Sequence, residues 1–195
     1  MPVVTMIAGP NGSGKSTLTR LFADSGLDFG EYLNADDIAA GMDGPLEEVA
    51  QKAQAEVRRR REAALLERRD YSFETVMSHP SHIEHLREAK AAGYEVLVYF
   101  VATDDPWINQ GRVANRVKHG GHNVPRDRIA ARYNRCLANL PDAVAVADGG
   151  LIFDNSDTER PMLALAEIED GHIGRVLGSS PGSSWFVKVL RSMNK

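Results

Sequence analysis

Apolar residues recur along this chain with two periods, and the switches between them mark a succession of strands and helices. Val3 to Ala8 is apolar except for Thr5, a length and composition that predict a buried strand. Residues 17–22 follow a helical spacing that stops at Gly26. Residues 31–36 predict a short second strand with Asp36 and Asp37 at its carboxyl end. A long helix is expected over about residues 45–69, with Pro45 at a permitted first-turn position and Glu47 and Glu48 matching the positive end of its dipole. Its run Arg58-Arg59-Arg60-Arg61 is interleaved with glutamates at i,i+4 spacing and reads as a solvated face.

Residues 71–76 predict a third strand. Ser81-His82-Ile83-Glu84 has the form of a capping box and opens a helix that ends at Gly93. Residues 94–103, β-branched and aromatic, have the character of a central parallel strand. A helix over about residues 106–118 carries Arg112 and Arg116; a Gly120-Gly121 loop and a helix with Arg128, Arg132 and Arg135 follow. Residues 150–154 predict a fifth strand with Asn155 at its end. Residues 161–168 and 172–177 flank Asp170-Gly171, a hairpin signature, and Trp185, Phe186, Val189 and Leu190 form the apolar face of a last short helix.

Strands alternating with helices imply an α/β protein of three layers, with a parallel sheet about five strands wide covered on both faces. The expected organisation is a core over residues 1–157 with a lid over about 106–140, then a hairpin–helix appendage over 158–195 packed on that core. In such sheets ligands gather at the carboxyl ends of the strands, where Asp36, Glu74, Asp104 and Asn155 all fall.

Composition narrows the partners more than the fold. The 195 residues carry a net charge of −4, which offers no general attraction for a polyanion, so nucleic acid is not an expected partner. No apolar run reaches membrane-spanning length. Cys136 is the only cysteine, which excludes an internal disulfide and suits a reducing, cytoplasmic setting; its place in a helical run reads as a packed thiol.

The chemistry is concentrated at Gly9-Pro10-Asn11-Gly12-Ser13-Gly14-Lys15-Ser16, which fits G-x-x-x-x-G-K-[ST] between a strand and a helix. Glycines let successive N–H groups converge on one anion, and the helix that follows adds its positive end. Lys15 brings charge to the β- and γ-phosphates, and the Ser16 hydroxyl is a ligand for Mg²⁺. A three-layer phosphate-loop (P-loop) nucleoside triphosphatase or kinase fold follows, with ATP and Mg²⁺ as cofactors. Gly9, Asn11, Gly12, Ser13, Gly14, Lys15, Ser16 and Thr17 are the expected nucleotide contacts, joined by Arg116 and Asn155. Two arginine-bearing helices joined by a Gly-Gly loop suit a lid closing over phosphates. Phosphoryl transfer also needs a carboxylate to take the proton of the attacking hydroxyl. Asp36 is the leading candidate and Asp37 the alternative, with Asp36 then serving as a helix cap.

These pieces in this order, together with Asn34-Ala35-Asp36, Phe73-Glu74-Thr75, the block from Arg116 to Tyr133 and Asp154-Asn155-Ser156, resemble the zeta-toxin-like branch of P-loop kinases, including short bacterial proteins labelled as ABC-type ATPases. The resemblance spans residues 1–157. It implies transfer of the γ-phosphoryl group of ATP to a hydroxyl of a small metabolite, a UDP-linked amino sugar in zeta toxins. Lys15, Asp36, Arg112 and Arg116 would be catalytic, with Arg112 or Arg116 as the first lid arginine. Asp36, Glu74, Thr75, His122 and Arg132 would meet the acceptor; His122 stands where zeta toxins place an arginine. A separately encoded antitoxin protein is the implied partner. The rival readings are a switch or motor ATPase and a nucleic-acid kinase. Against the first stand the absence of an L-S-G-G-Q stretch and lid arginines that lie within the chain.

Overall fold

A computed structural model describes residues 1–119, 124–178 and 183–193. Its elements in chain order are β1 (Val3–Ala8), α1 (Lys15–Asp24), β2 (Glu31–Leu33), α2 (Ala35–Ala40), α3 (Leu46–Glu67), β3 (Tyr71–Thr75), α4 (Ser81–Ala91), β4 (Glu95–Ala102), α5 (Pro106–Lys118), α6 (Arg126–Val146), β5 (Gly149–Asp154), β6 (Leu163–Glu169), β7 (His172–Val176) and α7 (Ser184–Met193). They form one sheet in the order β2-β3-β1-β4-β5-β6-β7. β1 to β5 run parallel, and β6 and β7 close the far side antiparallel.

The sheet is thus seven strands wide rather than about five. The hairpin signature at Asp170-Gly171 folds as expected, and β6 then pairs with β5 from Gly149–Glu169 to Asp154–Leu163. This pairing satisfies the backbone groups that an open β5 edge would present to solvent.

Alternation along β1 divides the core between the two faces. Val4, Met6 and Ala8 join a large cluster with side chains from α3, α4, α6 and α7. Ile7 packs instead with Leu18 of α1, Val101 and Phe153, with the rings of Phe22 and Tyr99 beside them. α7 lays Trp185, Phe186 and Val189 on the first face, Trp185 against Phe100. Burying each large apolar side chain contributes about 1.5–3 kcal/mol, enough to hold a helix of ten residues that has little stability of its own.

Two local expectations change. β2 stops at Leu33, because Asn34 caps α2 by accepting the Asp36 N–H at 2.9 Å; Asp36 and Asp37 lie in the first helical turn and not at a strand end. The capping box at Ser81 does not form. α4 begins after Pro80 with no side-chain cap, and His79 Nδ1 accepts the Ser81 N–H instead. No helix among the described residues is long and apolar enough to cross a membrane.

Candidate active site

The loop between β1 and α1 takes a shape only glycine permits at two points. At Gly9, φ is +154°, and a Cβ would collide with the Val101 carbonyl oxygen of the neighbouring strand. At Gly14, φ is +108°, and a Cβ would come within 2.5 Å of the Asn155 side chain. Gly14 is also the cap residue of α1 and provides no side-chain acceptor, so first-turn donors are left to an anion. The loop is braced from three directions. Gly9 N–H donates to the Thr75 carbonyl at 3.2 Å, Asn109 Nδ2 to the Asn11 carbonyl at 2.6 Å, and Asn155 Nδ2 to the Ser13 carbonyl at 2.8 Å. Asn155 is buried, its Nδ2 committed to the loop backbone and its Oδ1 accepting the Met162 N–H at 3.4 Å.

Lys15 Nζ donates to the carbonyls of Gly9 and Pro10 at 3.0 and 3.2 Å. Burial pushes its pKa below the ordinary lysine value, while the carboxylates of Glu74 and, to a smaller extent, Asp36 pull it back up. Ser16 and Thr19, neighbours on α1, both donate to the Glu74 carboxylate, at 3.1 and 2.9 Å. Tyr32 OH donates to the same carboxylate at 2.7 Å; burial and that carboxylate hold the phenol protonated far above its usual range. The Ser16 hydroxyl beside a carboxylate is a hard-oxygen donor set of the kind Mg²⁺ takes. Ser16 would hold the ion, with Glu74 close enough to orient it.

A cleft of about 1420 Å³ opens in front of the loop. Asp36, Glu74, Thr75, Arg112, Arg116, Arg132 and Asn155 all line it, along with most of the loop, including Asn11, Gly12, Gly14, Lys15, Ser16 and Thr17. Asp36 faces the cleft, whereas Asp37, one residue on, does not line it; burial, Glu74 and Asp36 raise the Asp37 carboxyl above the usual range. Arg116 of α5 reaches across to Asp36, Nη1 to Oδ2 at 3.9 Å. Arg112, one turn earlier, is half-buried, and its Nη1 has no hydrogen-bond partner. On α6 the arginines part company. Arg132 lines the cleft, Arg135 donates to the Ser78 carbonyl at 3.3 Å, and Arg128 is exposed. His122 and the Gly120-Gly121 loop lie outside the described residues.

Other residues of the site had no signature in the sequence. Tyr32 could be placed on a short strand, but not aimed at Glu74. Trp185 Nε1 donates to Asp154 Oδ2 at 2.6 Å and Ser184 Oγ to Asp104 Oδ1 at 2.7 Å, so α7 ties down the ends of β4 and β5 beside Asn155. The arginine run divides sharply. Arg59 and Arg60 pair with Glu56 on the surface, as expected, but Arg61 is 9% exposed and sits 4.7 Å above the Phe73 ring. A helix face shared by Gln54, Arg58, Arg61 and Leu65 turns toward the cleft, which the run of like charges alone did not reveal. Cys136 is buried, and burial lifts its thiol far above its ordinary range. Among the described residues no group of histidine, cysteine and carboxylate side chains forms a protein-only metal cluster.

The zeta toxin family model matches residues 1–160. A curated relative, an uncharacterized protein of Haemophilus influenzae, is 29% identical over 131 residues, spanning 64% of this chain and 88% of that protein. Among solved structures, a chain of the AvrRxo1-ORF1:-ORF2 complex with ATP superposes with a TM-score of 0.72 at 13% identity, over 97% of this chain. This chain spans only 63% of that one. A chain of the PezAT chromosomal toxin–antitoxin system of the human pathogen Streptococcus pneumoniae superposes with a TM-score of 0.61 at 13% identity, over 100% of this chain and 86% of its own. At these identities the superpositions establish a shared fold.

Proposed function

The chain belongs to the zeta toxin family of P-loop kinases, and from that premise we propose that it transfers the γ-phosphoryl group of ATP to a hydroxyl of a small metabolite. The observation that carries this reading is a single cleft that holds the phosphate loop, Asp36 and three arginines, Arg112, Arg116 and Arg132. The bond from the γ-phosphorus to the β–γ bridging oxygen breaks, and a bond from the acceptor oxygen to phosphorus forms. ADP leaves, and the hydroxyl proton goes to Asp36. Asp36 suits that role because its carboxylate faces the cleft, free of the capping duty that Asn34 performs.

Lys15 stands at the loop to neutralise charge that builds on the transferred group. Arg116 contacts Asp36 and, like Arg112, extends from α5 over the same space. In this reading the arginines meet the γ-phosphoryl group, where a planar fork grips two oxygens. Mg²⁺, when bound at Ser16, supplies Lewis-acid neutralisation of the phosphate oxygens. In this reading Glu74 and Thr75, which line the same cleft, would also meet the acceptor, and Asn155 would act by holding the loop through Ser13. A UDP-linked amino sugar is the first acceptor this reading suggests, and a separately encoded antitoxin is its protein partner.

The test is an ATP-transfer screen against UDP-sugars and other hydroxylated metabolites, read by the mass gain of one phosphoryl group on the acceptor. Transfer to a hydroxyl, lost in Asp36→Asn, is the expected result. Steady phosphate release that no acceptor changes would replace the kinase with a hydrolase.

A further inference from the structure

The cleft does not end at the phosphate loop. It continues between α3 and α4 over β3, and the floor of this arm is Phe73, with Arg58, Arg61 and His82 around it. Arg61 is the deepest cation there. Its guanidinium stacks on Phe73, its Nε is buried with no hydrogen-bond partner, and Nη1 has only a 3.5 Å contact with His82 Nδ1. No carboxylate pairs with it among the described residues, whereas Arg59 and Arg60 on the same helix both have one. Glu62, Glu84 and Glu88 stand at the exposed rim of the arm, and Glu88 approaches His85 at 3.9 Å instead.

A buried guanidinium with an aromatic face beneath it and no carboxylate in contact is costly: desolvation pulls the Arg61 pKa down, and Glu62 and Glu88 at the rim oppose this only from a distance. His82 and His85 add no further positive charge beside it, because burial and the Arg61 charge hold both imidazoles neutral, at pKa values of about 4 and about 3. An entering anion with oxygen acceptors would supply what the protein leaves out, and the guanidinium fork suits phosphate geometry. Arg58 precedes Arg61 by three residues on the same helix face and lines the same arm.

We propose that this far arm is a second anion site, in which Arg61 with Arg58 receives a phosphate group carried by the acceptor, while the acceptor's hydroxyl reaches Asp36. The assignment to the acceptor rests on the kinase reading above; the anion site itself does not.

The full-length chain is saturated with a non-hydrolysable ATP analogue and Mg²⁺, so that the phosphate loop is filled, and titrated with inorganic phosphate in a calorimeter. Wild type is expected to give a one-site isotherm, weakened about tenfold or more by Arg61→Gln and several-fold by Arg58→Gln. Unchanged analogue affinity shows that each variant is folded; if Arg61→Gln fails that control, the exposed Arg58→Gln variant decides. No isotherm with wild type, or equal affinities in wild type and the folded variants, overturns the site. In transfer assays on an acceptor and its dephosphorylated counterpart, the Arg61 variant is expected to raise KM about tenfold for the phosphate ester alone, with kcat little changed. Equal KM changes for both acceptors overturn the acceptor assignment. An intact phosphate isotherm with no transfer to any acceptor counts against the kinase reading only, and transfer without the isotherm counts against this site only.

Discussion

The phosphate-loop end of the cleft comes from one short stretch, Gly9 to Ser16, braced by Thr75, Asn109 and Asn155. The far end comes from side chains scattered over α3, β3 and α4, which meet only because Arg61 settles on Phe73 beside His82. At the first end, geometry is set by backbone conformations that glycine alone tolerates, so side chains there are free to carry charge for chemistry. At the second, the charged side chain is itself part of the packing. Changes near the loop should therefore strike rate, and changes in the far arm should strike binding and stability.

The largest expected effect is at Lys15. Lys15→Ala should lower ATP turnover by about 10³-fold or more, because a charge aimed at the transferred group is lost. Its melting temperature should stay near wild type, since Nζ bonds only two loop carbonyls. Near-native turnover in a folded Lys15→Ala protein would remove the loop from the chemistry.

Next comes the base. Asp36→Asn should lower kcat about 10²–10⁴-fold while ATP binds as before, because the amide cannot take a proton. Asp37→Asn should keep most of the rate, as Asp37 does not line the cleft. The opposite pair of results would move the base one residue along α2.

A smaller loss is expected at Arg116. Arg116→Lys should lower kcat about tenfold with little change in ATP affinity, since an ammonium keeps the charge but not the fork. The 3.9 Å approach to partly exposed Asp36 adds less than about 1 kcal/mol to stability, so a melt should barely move. Arg59→Lys, on a side chain 68% exposed, is the matched surface control and should change neither rate nor affinity. Equal, near-native rates for both variants would return Arg116 to the surface.

The gentlest test sharpens the far end through pH. His85 Nε2 shares a 2.7 Å hydrogen bond with Tyr71 OH, and burial keeps that phenol protonated. His85 and His82 titrate at about 3 and about 4 in the folded protein, against about 6.5 for an unfolded histidine. Between those values the unfolded chain binds more protons, so stability falls as pH drops from about 6.5 toward 4. Each histidine contributes up to about 1.4 kcal/mol per pH unit over that window. Urea melts of wild type and His85→Asn should show the acid slope reduced in the variant. Equal slopes would mean that the far arm is open to water.

The phosphate loop, the five strands of a parallel sheet, the hairpin and the apolar stripe of α7 were legible in the residues, because each depends on neighbours close in sequence; the spatial order of the strands was not. Glycine spacing dictates backbone shape locally, and strand or helix periods repeat within a few residues. The candidate base was legible as a pair, Asp36 or Asp37. Helix α2 and its Asn34 cap were needed to turn one of them to the cleft, since a one-residue step on a helix rotates the side chain by about 100°. The joining of hairpin and sheet, the three donors on Glu74, and the burial of Arg61 were not legible at all. Each brings together residues far apart in the chain, and a run of four arginines carries no mark of which one will face inward. The tertiary fold decides that, because only the packed position of α3 over Phe73 determines which side of the helix loses its water.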